Sequence, residues 1–178
     1  LKIEDRLPAA RAFIREHKLN QVLAGALDDV GIVVMGGLTN SVLRALARLD
    51  LADLYGATRI PIYVLNVVYP LVPEELHAFC AGKRAVLVVE EGTPDYIEQQ
   101  INVALRRADI QTRVLGKGLL PQTGEYHSEA LIGGLAAFLT ETQPTGLDAG
   151  AVAARAAQLV AHKAAAAAAV GELPPRPP

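Results

Sequence analysis

A single cysteine, Cys80, occurs in 178 residues, so the chain can close no internal disulfide and build no multi-cysteine metal cluster from its own side chains. A reducing, cytoplasmic setting is the expectation. A basic block is missing too. Seventeen Lys and Arg stand against nineteen Asp and Glu, for a formal net charge of -2, and no run could neutralise a row of phosphates. No nucleic-acid partner is expected. No nonpolar tract, Ala164 to Val170 included, approaches the roughly 20 residues a membrane helix needs. No charged segment precedes an apolar one as in a secretory leader, and no membrane partner is expected. Neither G-x-G-x-x-G nor G-x-x-x-x-G-K-[ST] is present, so the standard phosphate loops are absent.

What is present suits one sizeable α/β core, with too few residues for two independent domains. LPAARAFIREHKLNQVL opens with a short helix in which Ala9, Phe13 and Ile14 lie near one face and Pro8 fits the first turn. GIVVMGG, residues 31 to 37, is an unbroken apolar run closed by two glycines, as expected of a strand covered on both faces. Thr39, Asn40 and Ser41 are each suited to cap the helix VLRALARL that follows. The pattern repeats in IPIYVLNVVYPL and VPEELHAFCAG, where Pro73 opens a helix, Glu74 and Glu75 favour its N-terminus and Gly82 ends it. RAVLVVEEG is a third strand, before a helix with Thr93 as its expected cap and Pro94 as its first residue. QTRVLGKG is a fourth, and Ser128 is the expected cap of a last core helix through Leu131, Ile132, Leu135, Phe138 and Leu139. Alternation of this kind predicts a three-layer α/β domain with a parallel sheet and helices on both faces.

Residues 1–28 are read as an N-terminal linker and helix, 29–143 as the α/β domain, and 144–178 as an alanine-rich helix with a proline-rich linker. Alanine favours helix without tertiary support, so the last helix is expected to be an arm. It either packs along its own domain or reaches to the next. Leu1 is not an initiator methionine and ELPPRPP is linker-like, so both ends are expected to be cut from a longer chain.

Chemistry-bearing residues are few. Parallel α/β sheets place ligands outside the carboxyl ends of their strands, which makes Gly36, Gly37, Thr39, Asn40 and Glu90 a candidate crevice for a small anion or regulatory ligand. Glu90 and Glu91 end a strand together, but adjacent residues there point to opposite sides. Capping of the next helix, or an interdomain hydrogen bond, is the ordinary role for such a carboxylate. His17 and His162 read as solvated. His77 and Cys80 share a helix face, and Tyr126, His127 and Ser128 form a polar cluster before a helix. A hydrolase using His77 or His127 is the enzymatic alternative, yet neither has an evident partner to orient it. No catalytic residue, cofactor-binding residue or metal ligand is assigned.

Several segments in this order carry a family resemblance: RLPAARAFIREHKL, GIVVMGG, YPLVPEELHAFCAGKRAVLVVEE, PDYIEQQI, VLGKGLLPQTGEYHSEAL and LPPRPP. The chain resembles the 2-oxoacid:ferredoxin oxidoreductases, most closely the fused bacterial indolepyruvate ferredoxin oxidoreductases, over residues 6–178. The resemblance implies a transketolase C-terminal-like domain lying between two thiamine diphosphate domains, one for the pyrimidine and one for the pyrophosphate. It implies a parent enzyme that oxidatively decarboxylates aryl or branched 2-oxo acids, passing the acyl group to coenzyme A and electrons through iron-sulfur clusters to ferredoxin. Thiamine diphosphate, magnesium and those clusters are implied for the parent, and no cofactor for this segment, which has no G-D-G type motif. Flanking thiamine domains and a homo-oligomeric assembly are the implied partners. The VVEE phrase ending at Glu91 then implies a scaffold and domain-contact role.

Overall fold

The computed structural model describes residues 2–171. Proline-rich ELPPRPP, read above as a linker, lies outside the described residues. A short π-helical turn, Lys2–Arg6, leads into α1 (Leu7–Glu16), with Pro8 in its first turn as the sequence predicts. Only Ile14 of α1 is buried, and Phe13 stays exposed with its ring against His17.

After a short strand β1 (Gln21–Leu23) come four more: β2 (Val30–Met35), β3 (Ile62–Leu65), β4 (Ala85–Val89) and the shorter β5 (Arg113–Leu115). The last four run parallel, with β2 hydrogen-bonded to both β3 and β4 and β4 to β5. Every residue of β3 and β4 is buried, which explains why neither shows the polar alternation of a half-exposed strand. The helices between strands are α2 (Thr39–Arg48), α3 (Pro73–Cys80) and α4 (Tyr96–Arg107), followed after β5 by α5 (Ser128–Thr142) and α6 (Ala149–Gly171).

The sheet is mixed, which corrects the expectation of a purely parallel one. β1 (Gln21–Leu23) runs antiparallel to β3, pairing Val22 with Tyr63, and makes the order β1-β3-β2-β4-β5. Three residues are too few to show a period, so QVL looked like the tail of the first helical segment. Tertiary bonds hold β1 in place: Asn20 Nδ2 donates to Tyr63 Oη and Glu75 Oε2, and Asn20 Oδ1 accepts from Val67 N.

Alternate residues of the strands feed two cores. Ile32, Val34, Leu87 and Val89 pack with α2, α5 and the start of α6, whereas Val33, Tyr63, Leu65, Val86 and Val88 pack with α3 and α4. Helices therefore cover both faces, as the three-layer reading requires. Val152 and Ala156 of α6 are buried against the domain, while residues 160–169 are exposed throughout. The arm thus packs along its own domain with its first half only. Among the described residues no helix is long and apolar enough to cross a membrane.

Three expected helix caps are absent. Thr39 and Ser128 are the first helical residues of α2 and α5 and cap neither, and α4 begins at Tyr96, beyond Thr93 and Pro94. At α5 and α4 a contact from elsewhere in the fold supplants the local propensity, Arg48 on Ser128 Oγ and Glu90 on Ile97 N, whereas α2 simply has no side-chain cap. Pro73 does open α3, and Gly82 follows its end at φ +80°.

Candidate functional site

Chain order runs from β2 outward to β3, then back across to β4, so the topological switch lies between β2 and β4. Ligands of open α/β sheets bind outside such a point. Gly36 and Gly37 follow β2 and Glu90 follows β4, and the last residue pair joining the strands is Val34 with Val89. The five crevice residues predicted from sequence therefore gather at one end of the sheet, but their groups do not converge on a ligand. Both Glu90 oxygens accept from Ile97 N, at 2.9 and 3.0 Å, and Oε2 also accepts from Glu98 N at 3.1 Å. Glu90 is buried and serves as the cap of α4. Asn66 closes the turn at Gly36, where a Cβ would lie 2.6 Å from Asn66 Oδ1. Thr39 Oγ1 is buried without a hydrogen-bond partner. Asn40 instead lines a separate cavity with Arg44, Asp53 and Tyr55.

Beyond β5 the segment 116–127 folds over the carboxyl ends of β4 and β5, and carboxylates hold it through its backbone. Glu91 Oε1 accepts from Tyr126 N at 2.6 Å, and Glu98 Oε2 accepts from Lys117 N at 2.9 Å. A Cβ at position 116 would lie 2.3 Å from Glu98 Oε2, so a side chain there would displace that carboxylate from the Lys117 amide. Lys117 is buried, and its Nζ donates to Tyr126 Oη at 2.9 Å while Tyr126 Oη donates to Pro121 O at 2.8 Å. The ammonium also lies 4.9 Å from the centroid of the Tyr126 ring. An unpaired buried charge is costly; here a phenol oxygen and an aromatic face meet it. Glu91 and Glu98 thus fasten a loop instead of facing a substrate.

The histidines form no catalytic pair. His77 and His127 both line cavities, but His77 Nε2 lies 3.2 Å from Ala104 O. Cys80 is fully buried, and burial pushes its thiol pKa up to about 12, against the weak opposing pull of Lys83. Ser128 Oγ takes a hydrogen bond from Arg48 Nη1 at 2.8 Å. No base, nucleophile and orienting acid meet at either histidine.

A profile of the indolepyruvate ferredoxin oxidoreductase middle domain matches residues 19–166. The chain belongs to this indolepyruvate ferredoxin oxidoreductase middle-domain family. The indolepyruvate oxidoreductase subunit IorA of Methanothermobacter thermautotrophicus is 32% identical over 133 residues, which is 73% of this chain and 20% of that protein. The chain therefore spans about a fifth of that relative's length. A solved split-gene transketolase, in an inactive β4 tetramer, is 22% identical with a TM-score of 0.44, covering 78% of this chain and 41% of that one.

For a middle-domain chain of this family the donor set can be tested against the cofactors its resemblance implies. One buried cysteine cannot supply the four thiolates an iron-sulfur cluster takes. Among the described residues no three His, Cys, Asp or Glu side chains are placed to hold a metal ion. Glu90 has both oxygens committed to backbone N–H groups. A single buried cysteine does not fit a cluster. The polar groups that organise the site were mostly missed from sequence. Lys117, set between two glycines, was the one visible signal, and Asn20 with Glu75 left none, being 55 residues apart.

Proposed function

We propose that this chain is a noncatalytic scaffold and interface domain of a thiamine-diphosphate-dependent indolepyruvate:ferredoxin oxidoreductase, transketolase C-terminal-like in fold. One observation carries the reading: Glu90, Glu91 and Glu98, the carboxylates at the functional end of the sheet, all accept backbone N–H groups of their own fold. In this reading the parent enzyme decarboxylates an aryl 2-oxo acid, forms an acyl-CoA and reduces ferredoxin, with the cofactors held by flanking thiamine domains in a homo-oligomer, in the cytoplasm. The proposed unit is residues 29–143 extended by β1 and by the packed half of α6. Leu54 and Tyr55, 95% and 97% exposed at a loop tip, support contact with a neighbouring domain.

The anion-crevice alternative at Gly36, Gly37, Thr39, Asn40 and Glu90 has less support, because the Glu90 carboxylate would repel the ligand. The test is direct. The protein is mixed with thiamine diphosphate, magnesium, indolepyruvate and coenzyme A, and reduction of a viologen dye is followed beside calorimetric titration of thiamine diphosphate. Neither turnover nor binding is expected, and either one would overturn the noncatalytic assignment.

A further inference from the structure

A cavity of about 480 Å3 lies where α2, the start of α5 and the outer half of α6 meet. Its walls carry Ser41, Arg44 and Arg48 from α2, His127 and Ser128 from the entry to α5, and Lys163 from α6. We propose that this cavity binds the phosphate group of a small phosphorylated ligand.

The charge balance points that way. Arg44, Arg48 and Lys163 face a single lining carboxylate, Glu129, in a chain whose net charge is -2. Lys163 forms an ion pair with Glu129 and Arg48 also acts coulombically on that carboxylate, so three cations share one lining acid. Arg44 is exposed and makes no hydrogen bond or ion pair among the described residues. Arg48 is oriented by its 2.8 Å bond to Ser128 Oγ. Ser41, Arg44 and Arg48 follow one another at three- and four-residue steps, which sets them on one face of α2.

Backbone polarity adds to the side chains. α5 has 15 residues, and its N-cap residue His127 offers the first N–H groups no side-chain acceptor, although the Glu129 carboxylate takes its own backbone N–H; Ser128 and Glu129, its first two residues, line the cavity. The positive end of a helix therefore meets the guanidinium groups in the same space. Two guanidinium groups, two hydroxyls and a helix N-terminus match the charge of about -2 and the several acceptor oxygens of a phosphate monoester better than they match a lone carboxylate. The volume, within the roughly 300–1,000 Å3 of small-molecule sites, leaves room for more than the phosphate itself. This site lies apart from Glu90 and does not depend on the scaffold reading.

Inorganic pyrophosphate serves as the probe, titrated calorimetrically into the protein at constant ionic strength. Saturable binding at one site per chain is expected, with a concentration-dependent rise in Tm. Arg44→Gln is expected to weaken it about tenfold without lowering the Tm of the ligand-free protein, and Ser41→Ala to weaken it less. Arg107→Gln, in a cavity between α1, α3 and α4, is expected to leave it unchanged. Failure to saturate in the millimolar range, an equal loss with Arg107→Gln, or full affinity in the Arg44 variant would each overturn the proposal.

Discussion

The Glu90 carboxylate and the Ile97 amide are joined twice, each oxygen lying within 3.0 Å of the same nitrogen. A strand end and a helix start seven residues apart are thereby locked into one unit. Since α4 has no side-chain cap from its own flanking residue, Glu90→Ala is expected to lower stability by about 2 kcal/mol. Glu90→Gln should cost less, because its amide oxygen still accepts. Urea unfolding of the two variants checks the order, and equal stability of all three proteins would show that the cap is dispensable.

Acid sensitivity is expected from Asp29. Burial raises its pKa, but the N–H of Thr145 and the Arg84 guanidinium, both on Oδ2, outweigh burial and hold it below 3.8. A carboxylate depressed in the folded state stabilises above its unfolded pKa, and that contribution is lost as pH falls through the folded value. Stability should therefore be level with respect to Asp29 above about pH 5 and decline below 3.8, and Asp29→Asn should flatten that decline. Thermal melts from pH 2 to 6 give the comparison.

Cys80 predicts the opposite limb. Its raised pKa, from 9.0 to about 12, means that the folded state favours the thiol. That stabilisation is complete below pH 9 and lost as pH rises toward 12. Near neutrality the thiol should react with a disulfide reagent only as fast as the protein opens. Rapid labelling of the native protein at pH 8 would contradict the burial.

Tyr63→Phe tests the anchor of β1. Tyr63 Oη donates to Glu75 Oε2 at 2.6 Å and accepts from Asn20 Nδ2, so its removal should cost about 1–2 kcal/mol. Hydrogen exchange should quicken at Gln21–Leu23 more than in β4. Uniform quickening across the sheet would mean that β1 is not separately anchored.

Legibility in the sequence followed the range of the forces. The strands β2, β3 and β4 are buried on both faces, so their unbroken apolar runs were readable without any contact information. Pro73 and Gly82 were readable because their effects are confined to their own backbone. Thr93 misled, since a good local cap lost to a carboxylate arriving from Glu90. That arrangement was foreseen as the ordinary role of a strand-end acid, but the choice between the two candidates is made by tertiary geometry. β1 and its Asn20, Tyr63 and Glu75 network have no local signature at all. Arg44 and Arg48 drew no comment from the sequence, because the cavity they line is completed only by α5 and α6, which are distant in the chain.

The half-packed α6 has a mechanical consequence. Its exposed stretch, residues 160–169, makes a strut of about 15 Å whose root is seated on α5 through Val152 and Ala156. Lys163 stands on that strut and reaches Glu129 at the head of α5. An occupant lodged between Lys163 and Arg44 would add a brace between the strut and α2, beside the existing Lys163–Glu129 ion pair. Stiffness of the strut and occupancy of the cavity are then reciprocal quantities, so that holding the strut steady from outside would tighten the brace by the same factor that the brace steadies the strut.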